Sequence, residues 1–179
     1  MAGFYLRLFL VNFSAMFAGV AVINLLKMEP SAAFLGALYL AVFFAGFITF
    51  IVGPIHVLRS KKIAGAGYGP EIYRTHQSAE FSIGLDYDKL FSLAHRYLKE
   101  IAGFEILEAD TRTRRITAKS PISLKAFGNF ITLEFKDTNP ILTNLKISSR
   151  PRHRLALIDY GENLKIVLDA KKYLLGNSG

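Results

Sequence analysis

Cysteine is absent from this sequence, and charge is almost absent from its first third. Without cysteine the protein has no disulfide bonds and no thiolate metal site. Between residues 1 and 58 the charged side chains are Arg7, Lys27 and Glu29 alone. A hydrophobic fraction of 51% is high for a soluble chain of 179 residues, and the excess lies in this first segment. The composition therefore predicts a membrane segment followed by one mildly basic domain.

The residue patterns of known catalytic and phosphate-binding sites are also lacking. The histidines His56, His76, His95 and His153 have no metal-ligand spacing, and no nucleophile–base pair or catalytic pair of carboxylates can be recognised. The glycine-rich segment 64–70 follows no strand and lacks the Lys-Ser/Thr of a phosphate-binding loop. We therefore predict a protein that is not an enzyme and needs no metal or other cofactor. A membrane-bound hydrolase is the least favoured alternative.

Two long apolar runs occupy the N-terminal segment. They cover residues 4–26 and 31–58, and about 20 residues are enough for a helix to cross the hydrocarbon core of a bilayer. The connection 27–30 is short, so the two helices must run antiparallel, and Pro30 suits the first turn of the second helix. A cleaved signal peptide has a shorter apolar region and no second span directly after it. The sequence predicts a transmembrane helical hairpin over residues 1–58.

Basic residues are distributed unequally around this hairpin. At the outer ends of the two helices and just beyond them lie Arg7, Arg59, Lys61, Lys62 and Arg74, whereas the turn has Lys27. Because Lys and Arg flanking a span stay on the cytoplasmic side, we expect both termini in the cytoplasm. We also expect Arg59, Lys61 and Lys62 to reach anionic lipid headgroups.

The second helix has a stripe of small residues, one at every fourth position. Its members are Ala33, Ala37, Ala41, Ala45, Thr49 and Gly53, and the first helix offers Ala15 and Gly19 at the same spacing. Small residues allow the backbones of two helices to approach closely in a membrane. Two interpretations remain open: the stripes pack on each other within the hairpin, or the long stripe receives a helix of another membrane subunit. Asn12 and Asn24 are polar groups within the first span, and for Asn12 we expect an interhelical hydrogen bond.

Beyond a basic, glycine-rich linker at 59–76, the period of the apolar residues changes several times. Alternation predicts strands near 81–85, 104–108, 115–119, 130–136 and 142–149, with polar turns at 109–112 and 137–140. Helical periodicity predicts one helix after Asp86 or Asp88, ended by Gly103, and a last helix over 159–175. We thus expect residues 77–179 to form a cytoplasmic α+β domain of order β-α-β-β-β-β-α, with an antiparallel sheet and two helices on one face.

Two short motifs of this domain resemble a known family. Ile147-Ser148-Ser149-Arg150, followed by Asp159-Tyr160-Gly161-Glu162-Asn163 and a basic amphipathic helix, is similar to the C-terminal signature of the bacterial family called domain of unknown function 1499. The strand 115–118 also fits, so the resemblance covers residues 78–175. The segment 151–154 departs from it, since the family usually has small residues and glycine there. The resemblance implies a fold and a bacterial envelope setting, hence the inner membrane, but no reaction.

The same motifs have structural and functional interpretations. We expect Asp159, Gly161 and Asn163 to be structural, with Asp159 capping the last helix and Asn163 bonding a neighbouring loop; a catalytic or cation-binding turn is the alternative. A basic group follows a strand directly: Arg150, Arg152 and Arg154. It is either a solvated edge or a site for anionic lipid or an acidic partner. No nucleic-acid partner is expected, because a recognisable binding module and interleaved aromatics are missing.

Two functions follow from these expectations. The first is a non-catalytic accessory or scaffold subunit, which docks its hairpin against other subunits of a membrane complex. The second is a membrane-tethered module that binds a lipid or a small apolar ligand, because a helix over a curved sheet can enclose a cavity. They differ in whether four phenylalanines fill the core or line a space: Phe104, Phe127, Phe130 and Phe135.

Overall fold

The computed structural model describes residues 2–66, 68–122, 127–139, 142–153 and 156–178. It divides into two compact units, Met1–Leu58 and Arg59–Gly179, and each is described by itself.

The first unit is a pair of antiparallel helices. Helix α1 runs over Ala2–Leu25 and helix α2 over Pro30–Phe47. A π-helical turn, Ile48–Val52, and helix α3, Gly53–Ala64, continue α2 without a break. α1 and the continuous second helix have mean hydropathies of 2.0 and 2.4, and both are long and apolar enough to cross a membrane.

The π-helical turn allows the second helix to continue past Pro54. In a regular α-helix the ring of Pro54 would clash with the carbonyl four residues back. Directly before it, the N–H of Gly53 donates to the carbonyl of Ile48, five residues back, and this wider turn makes room for the proline ring. The helix therefore continues to Ala64, so the first third of the expected linker is helical.

The stripe of small residues on the second helix faces α1. Ala33, Ala37, Ala41 and Ala45 are all fully buried, and α1 is the helix that packs against α2. At one end of the pair the side-chain amide of Asn24 donates to the carbonyl of Ala33 at 3.4 Å. At the other end a Cβ atom on Gly53 would lie 2.8 Å from the ring of Tyr5. Within this unit the stripe of small residues is therefore covered by α1.

The expected partners of that stripe, Ala15 and Gly19, are not in the contact: both are exposed, and no atom lies within 4 Å of a Cβ built on Gly19. A residue every four positions advances by about 40° per step around a helix of 3.6 residues per turn. The contact line therefore rotates along the pair, from Leu8 at one end of α1 to Asn24 at the other. Asn12, for which we expected an interhelical bond, instead donates its side-chain amide to the carbonyl of Leu8 within α1 at 2.7 Å.

The second unit is an α+β fold with one antiparallel sheet. Its strands are β1 Gln77–Ile83, β2 Glu105–Asp110, β3 Arg115–Lys119, β4 Asn129–Asn139 and β5 Leu142–Pro151. They lie in the order β1-β5-β4-β3-β2. Helix α4, Tyr87–Arg96, is extended by a π-helical turn, Tyr97–Ile101, and helix α5 runs over Glu162–Gly176. The predicted order β-α-β-β-β-β-α is confirmed.

Local signals set several of these boundaries. The carboxylate of Asp86 accepts from the N–H of Lys89 at 2.9 Å and so caps α4, while Gly103, with φ +66°, follows its π-helical turn. The turn predicted at 109–112 lies two residues later, because β2 continues to Asp110. Of the turn predicted at 137–140, residues 137–139 belong to β4, which stays paired to Asn139 after a register shift, and residue 140 lies outside the described residues.

The core of the second unit consists of its own residues. Alternating strand residues such as Ile131, Leu133, Leu145 and Ile147 pack under both helices, whose buried residues include Leu90, Leu98, Val167 and Leu174. All members of this core lie between positions 83 and 174. Residues 59–179 therefore hold a complete hydrophobic core and form a unit that can be produced as a separate fragment.

Candidate functional site

The second unit contains a cavity of about 720 Å³. It lies between α5, the π-helical turn that follows α4, and the neighbouring ends of β3 and β4. Ligand sites in proteins occupy about 300–1,000 Å³, so this space is large enough for a small molecule.

One wall of the cavity is apolar and aromatic. The rings of Tyr97 and Tyr173 are in contact, with their centroids 4.8 Å apart and their planes tilted by 32°, which joins the π-helical turn to α5. Ile101, Phe104 and Ile166 extend this wall. Such a surface offers a flat apolar molecule a large contact area.

Tyr97 contributes a neutral phenol to this wall. Its side chain is buried, and burial, together with the nearby Asp169 carboxylate, raises the pKa of Tyr97 to about 12. The hydroxyl is therefore uncharged at any physiological pH and can donate a hydrogen bond but cannot act as a base.

The charged groups around the cavity balance one another. Lys165 and Asp169 form an ion pair at 2.6 Å, and this hydrogen bond raises the pKa of Lys165. Lys172 and Glu162 line the same space, and Glu162 also pairs with Arg59 at 3.5 Å. Two lysines and two carboxylates line the cavity, so its lining residues carry no formal net charge.

Polar groups line the strand side of the cavity. The backbone N–H of Asn129 donates to the hydroxyl oxygen of Ser120, and the N–H of Ser120 donates to the carbonyl of Asn129, each at 2.9 Å. The side-chain oxygen of Asn129 is buried, and no donor among the described residues reaches it. A buried acceptor left unpaired costs about 1–3 kcal/mol, which a water or a ligand donor in this space would relieve.

The four phenylalanines divide between core, surface and cavity. Phe104 lines the cavity, and Phe135 belongs to the core, where it packs against Phe91. Phe130 lies on the outer face of the sheet and Phe127 is exposed. One of the four therefore lines a space. The other residues around the cavity were not singled out from the sequence, because Tyr97, Asn129 and Tyr173 share no spacing along the chain.

Asp159, Gly161 and Asn163 lie in a buried hydrogen-bond chain. The carboxylate of Asp159 accepts from the N–H of Gly161 at 3.1 Å and from the N–H and side-chain amide of Asn163 at 3.0 and 2.8 Å. Asn163 in turn accepts from the hydroxyl of Ser149 at 2.5 Å. The partner of Asn163 is thus strand β5 and not the loop that we expected. Because an amide cannot take a proton from a hydroxyl, this chain does not activate Ser149 as a nucleophile.

Gly161 has a backbone role at the start of α5. Its φ of +76° lies in the left-handed region, and a Cβ atom there would lie 2.9 Å from Ile63 and 3.2 Å from the hydroxyl of Ser60. The last turns of α3 therefore pack directly on the backbone of this residue.

Arg59, expected at lipid headgroups, is half-buried in its pair with Glu162, whereas Lys61 and Lys62 are exposed.

Two members of the basic group at the end of β5, Arg150 and Arg152, lie among the described residues. The guanidinium groups of Arg150 and Arg152 lie over the ring of Phe130, 5.4 and 5.8 Å from its centroid. Arg154 lies outside the described residues. No cluster of three or more His, Asp or Glu side chains that could hold a metal ion occurs in the described part of the chain.

No family model matches the chain, and neither does any curated protein. Among solved structures, an uncharacterised protein from Bacillus thuringiensis is similar with a TM-score of 0.44 and 10% identity, over 56% of this chain and 96% of that one. A protein from Thermobifida fusca gives a TM-score of 0.39 and 10% identity, over 55% and 93%. The Zhui aromatase/cyclase from a Streptomyces species gives 0.35 and 12%, over 57% and 92%.

Proposed function

We propose that this protein is a membrane-anchored binding module whose second unit takes up a small, uncharged, amphipathic molecule or lipid. The observation that carries the proposal is the cavity between the π-helical turn, α5 and the ends of β3 and β4. Its apolar wall suits the body of such a molecule, the strand side offers polar groups, and the lining residues carry no formal net charge.

The anchor of this module is the helical hairpin. Only 11% and 22% of the most apolar windows of its two helices are buried, whereas the core helix of a soluble protein is mostly covered. Large apolar side chains such as Phe43 and Phe50 point outward, which is favourable in lipid. The excess of basic residues beside the outer helix ends supports cytoplasmic termini, and the resemblance noted from the sequence supports a bacterial inner membrane.

Cavity filling tests ligand binding. Ala102→Phe adds a ring at a residue that lines the cavity, and we expect the 59–179 fragment with this change to lose most of its binding of N-phenyl-1-naphthylamine, a neutral apolar probe that fluoresces in apolar sites. Ala109→Phe adds the same ring at an exposed position of β2 and should leave binding unchanged. Equal binding by both variants would place the probe elsewhere and reject the cavity as its site.

An accessory subunit is the second candidate, and one observation favours it. Ala15 and Gly19 leave an open, small-residue face on the outside of the hairpin, where the backbone of another subunit's helix could approach closely. We expect Gly19→Leu to release co-purifying membrane proteins without changing the hairpin. Val22→Leu, on an exposed side chain that is already large, serves as the control. Retention of all partners by Gly19→Leu would contradict this second function.

A further inference from the structure

Two exposed apolar side chains, Ile122 and Phe127, lie in the part of the β3–β4 loop that the structure describes. The base of this loop is closed by two hydrogen bonds between Ser120 and Asn129, one of them to the side-chain hydroxyl of Ser120. Ile122 is 68% exposed and Phe127 is 79% exposed, more than any other large apolar side chain described in the second unit. Two such residues in one loop indicate an interaction surface, since water contact with both is unfavourable.

Two arginines without a counter-charge lie beside this loop. The N–H of Arg152 donates to the carbonyl of Gly128 at 3.0 Å, which joins the end of β5 to the loop. The guanidinium groups of Arg150 and Arg152 lie over the ring of Phe130, and neither makes an ion pair with a carboxylate in the described part of the chain. Stacking on an aromatic ring fixes the side chains while their charge stays available.

We propose that Ile122, Phe127, Arg150 and Arg152 form a docking surface for an anionic lipid bilayer. Exposed apolar side chains next to unpaired cations match the boundary between acyl chains and anionic headgroups. The two helices of the first unit, long and apolar enough to cross a membrane, favour a bilayer as the partner. Docking does not require the cavity to bind anything, so the two proposals can fail separately.

A single fluorescent reporter tests whether the loop enters lipid. The chain has no tryptophan, so Phe127→Trp in the 59–179 fragment gives one signal from one position. We expect its emission to shift to the blue with phosphatidylcholine vesicles that contain phosphatidylglycerol, and to be quenched by brominated acyl chains. The control is Leu107→Trp, on edge strand β2, where the native side chain is 47% exposed and no shift is expected.

Vesicle co-sedimentation separates the apolar from the charged contribution. Phe127→Ser should weaken binding about tenfold at low and high salt alike, because it removes buried apolar surface, and Leu107→Ser should not. Arg150→Gln with Arg152→Gln should weaken binding about thirtyfold at low salt and reduce its salt dependence. The charge-matched control changes two exposed arginines elsewhere, Arg96→Gln with Arg112→Gln.

Three results would overturn the proposal. The first is a Phe127→Trp emission that vesicles do not change, or that changes no more than Leu107→Trp. The second is equal vesicle binding by the two double-arginine variants. The third is a blue shift that needs no vesicles and grows with protein concentration, which would assign this surface to a second copy of the chain.

Discussion

The two units of this protein bury side chains of different size. In the first unit alanines such as Ala37 and Ala41 make the contact between the helices, and large side chains such as Phe43 point outward. In the second unit the buried positions belong to large aliphatic residues such as Leu133, and the outer face of the sheet has cross-strand ion pairs such as Lys146 with Glu134 at 3.6 Å.

The difference shows how the surroundings decide which side chains a fold buries. In water, burying leucine and isoleucine is the main stabilising contribution, at about 25 cal/mol per Å² of apolar surface. In lipid that contribution disappears, because acyl chains are as apolar as the side chains, and close backbone contact over small residues takes its place. The first unit has the pattern expected in an apolar solvent, which is the physical basis for proposing it as the anchor.

The largest expected effect comes from removing volume in the second unit. Leu133→Ala should destabilise the 59–179 fragment by about 2–5 kcal/mol in urea unfolding, because it leaves a cavity in a fully buried position of the sheet. Leu107→Ala, on an exposed side chain, should change the free energy of unfolding by less than about 0.5 kcal/mol. Similar losses for the two variants would mean that burial from water is not what stabilises this unit.

Adding volume should be the damaging change in the first unit. Ala37→Leu places a large side chain where α1 leaves no room, and overpacking costs about 1–3 kcal/mol. We expect a lower thermal unfolding temperature for the full-length protein in mild detergent. Phe43→Leu, on the outer side of the same helix, should leave it unchanged. If Ala37→Leu is as stable as Phe43→Leu, the stripe is not the helix contact.

A glycine change tests a close backbone contact within the second unit. Gly161→Ala forces a Cβ atom against Ile63 in a left-handed conformation and should cost about 1–3 kcal/mol in urea unfolding of the 59–179 fragment. Gly84→Ala is the matched control, since its φ is not positive and no atom lies within 4 Å of the added Cβ. A Gly161→Ala fragment as stable as Gly84→Ala would show that α3 does not pack on this turn in solution.

The smallest effect concerns the cavity tyrosine and appears only at alkaline pH. The pKa of Tyr97 is about 12 in the fold against an ordinary value of 10.0, so the unfolded chain loses this proton first as the pH rises. Above pH 10 the fragment should therefore lose stability by up to about 1.4 kcal/mol per pH unit relative to Tyr97→Phe. Absorbance of the tyrosinate measures the pKa of Tyr97 in the folded fragment. Urea unfolding at each pH measures the free energy of unfolding. If the free energy of unfolding falls equally with pH above 10 in the parent and in Tyr97→Phe, the result would contradict burial of the phenol.

Where the sequence predicted the fold well, the signal was periodic and local. Alternation located all five strands, and two candidate caps, Asp86 and Asp88, marked the start of α4, because an N-cap acts over three residues; the structure has Asp86 as the cap. The end of the second helix was wrong, because the prediction ended it at Leu58 with the apolar run, whereas the helix continues through charged residues to Ala64. Ala15 and Gly19 were misplaced for a different reason: spacing shows that two residues share a helix face but not which face meets the neighbouring helix.

The sequence by itself determined two apolar helices joined by a short turn, a stripe of small residues on the second, and an antiparallel α+β domain after it. These follow from period, composition and chain length, which need no knowledge of distant contacts. Only the tertiary structure decided that the stripe is covered by α1, that Asn163 bonds Ser149, and that Tyr97, Phe104, Asn129 and Tyr173 surround one cavity. Each of these depends on which residues the fold brings together across long stretches of chain, and the cavity exists because α5 and the π-helical turn leave space at one end of the sheet.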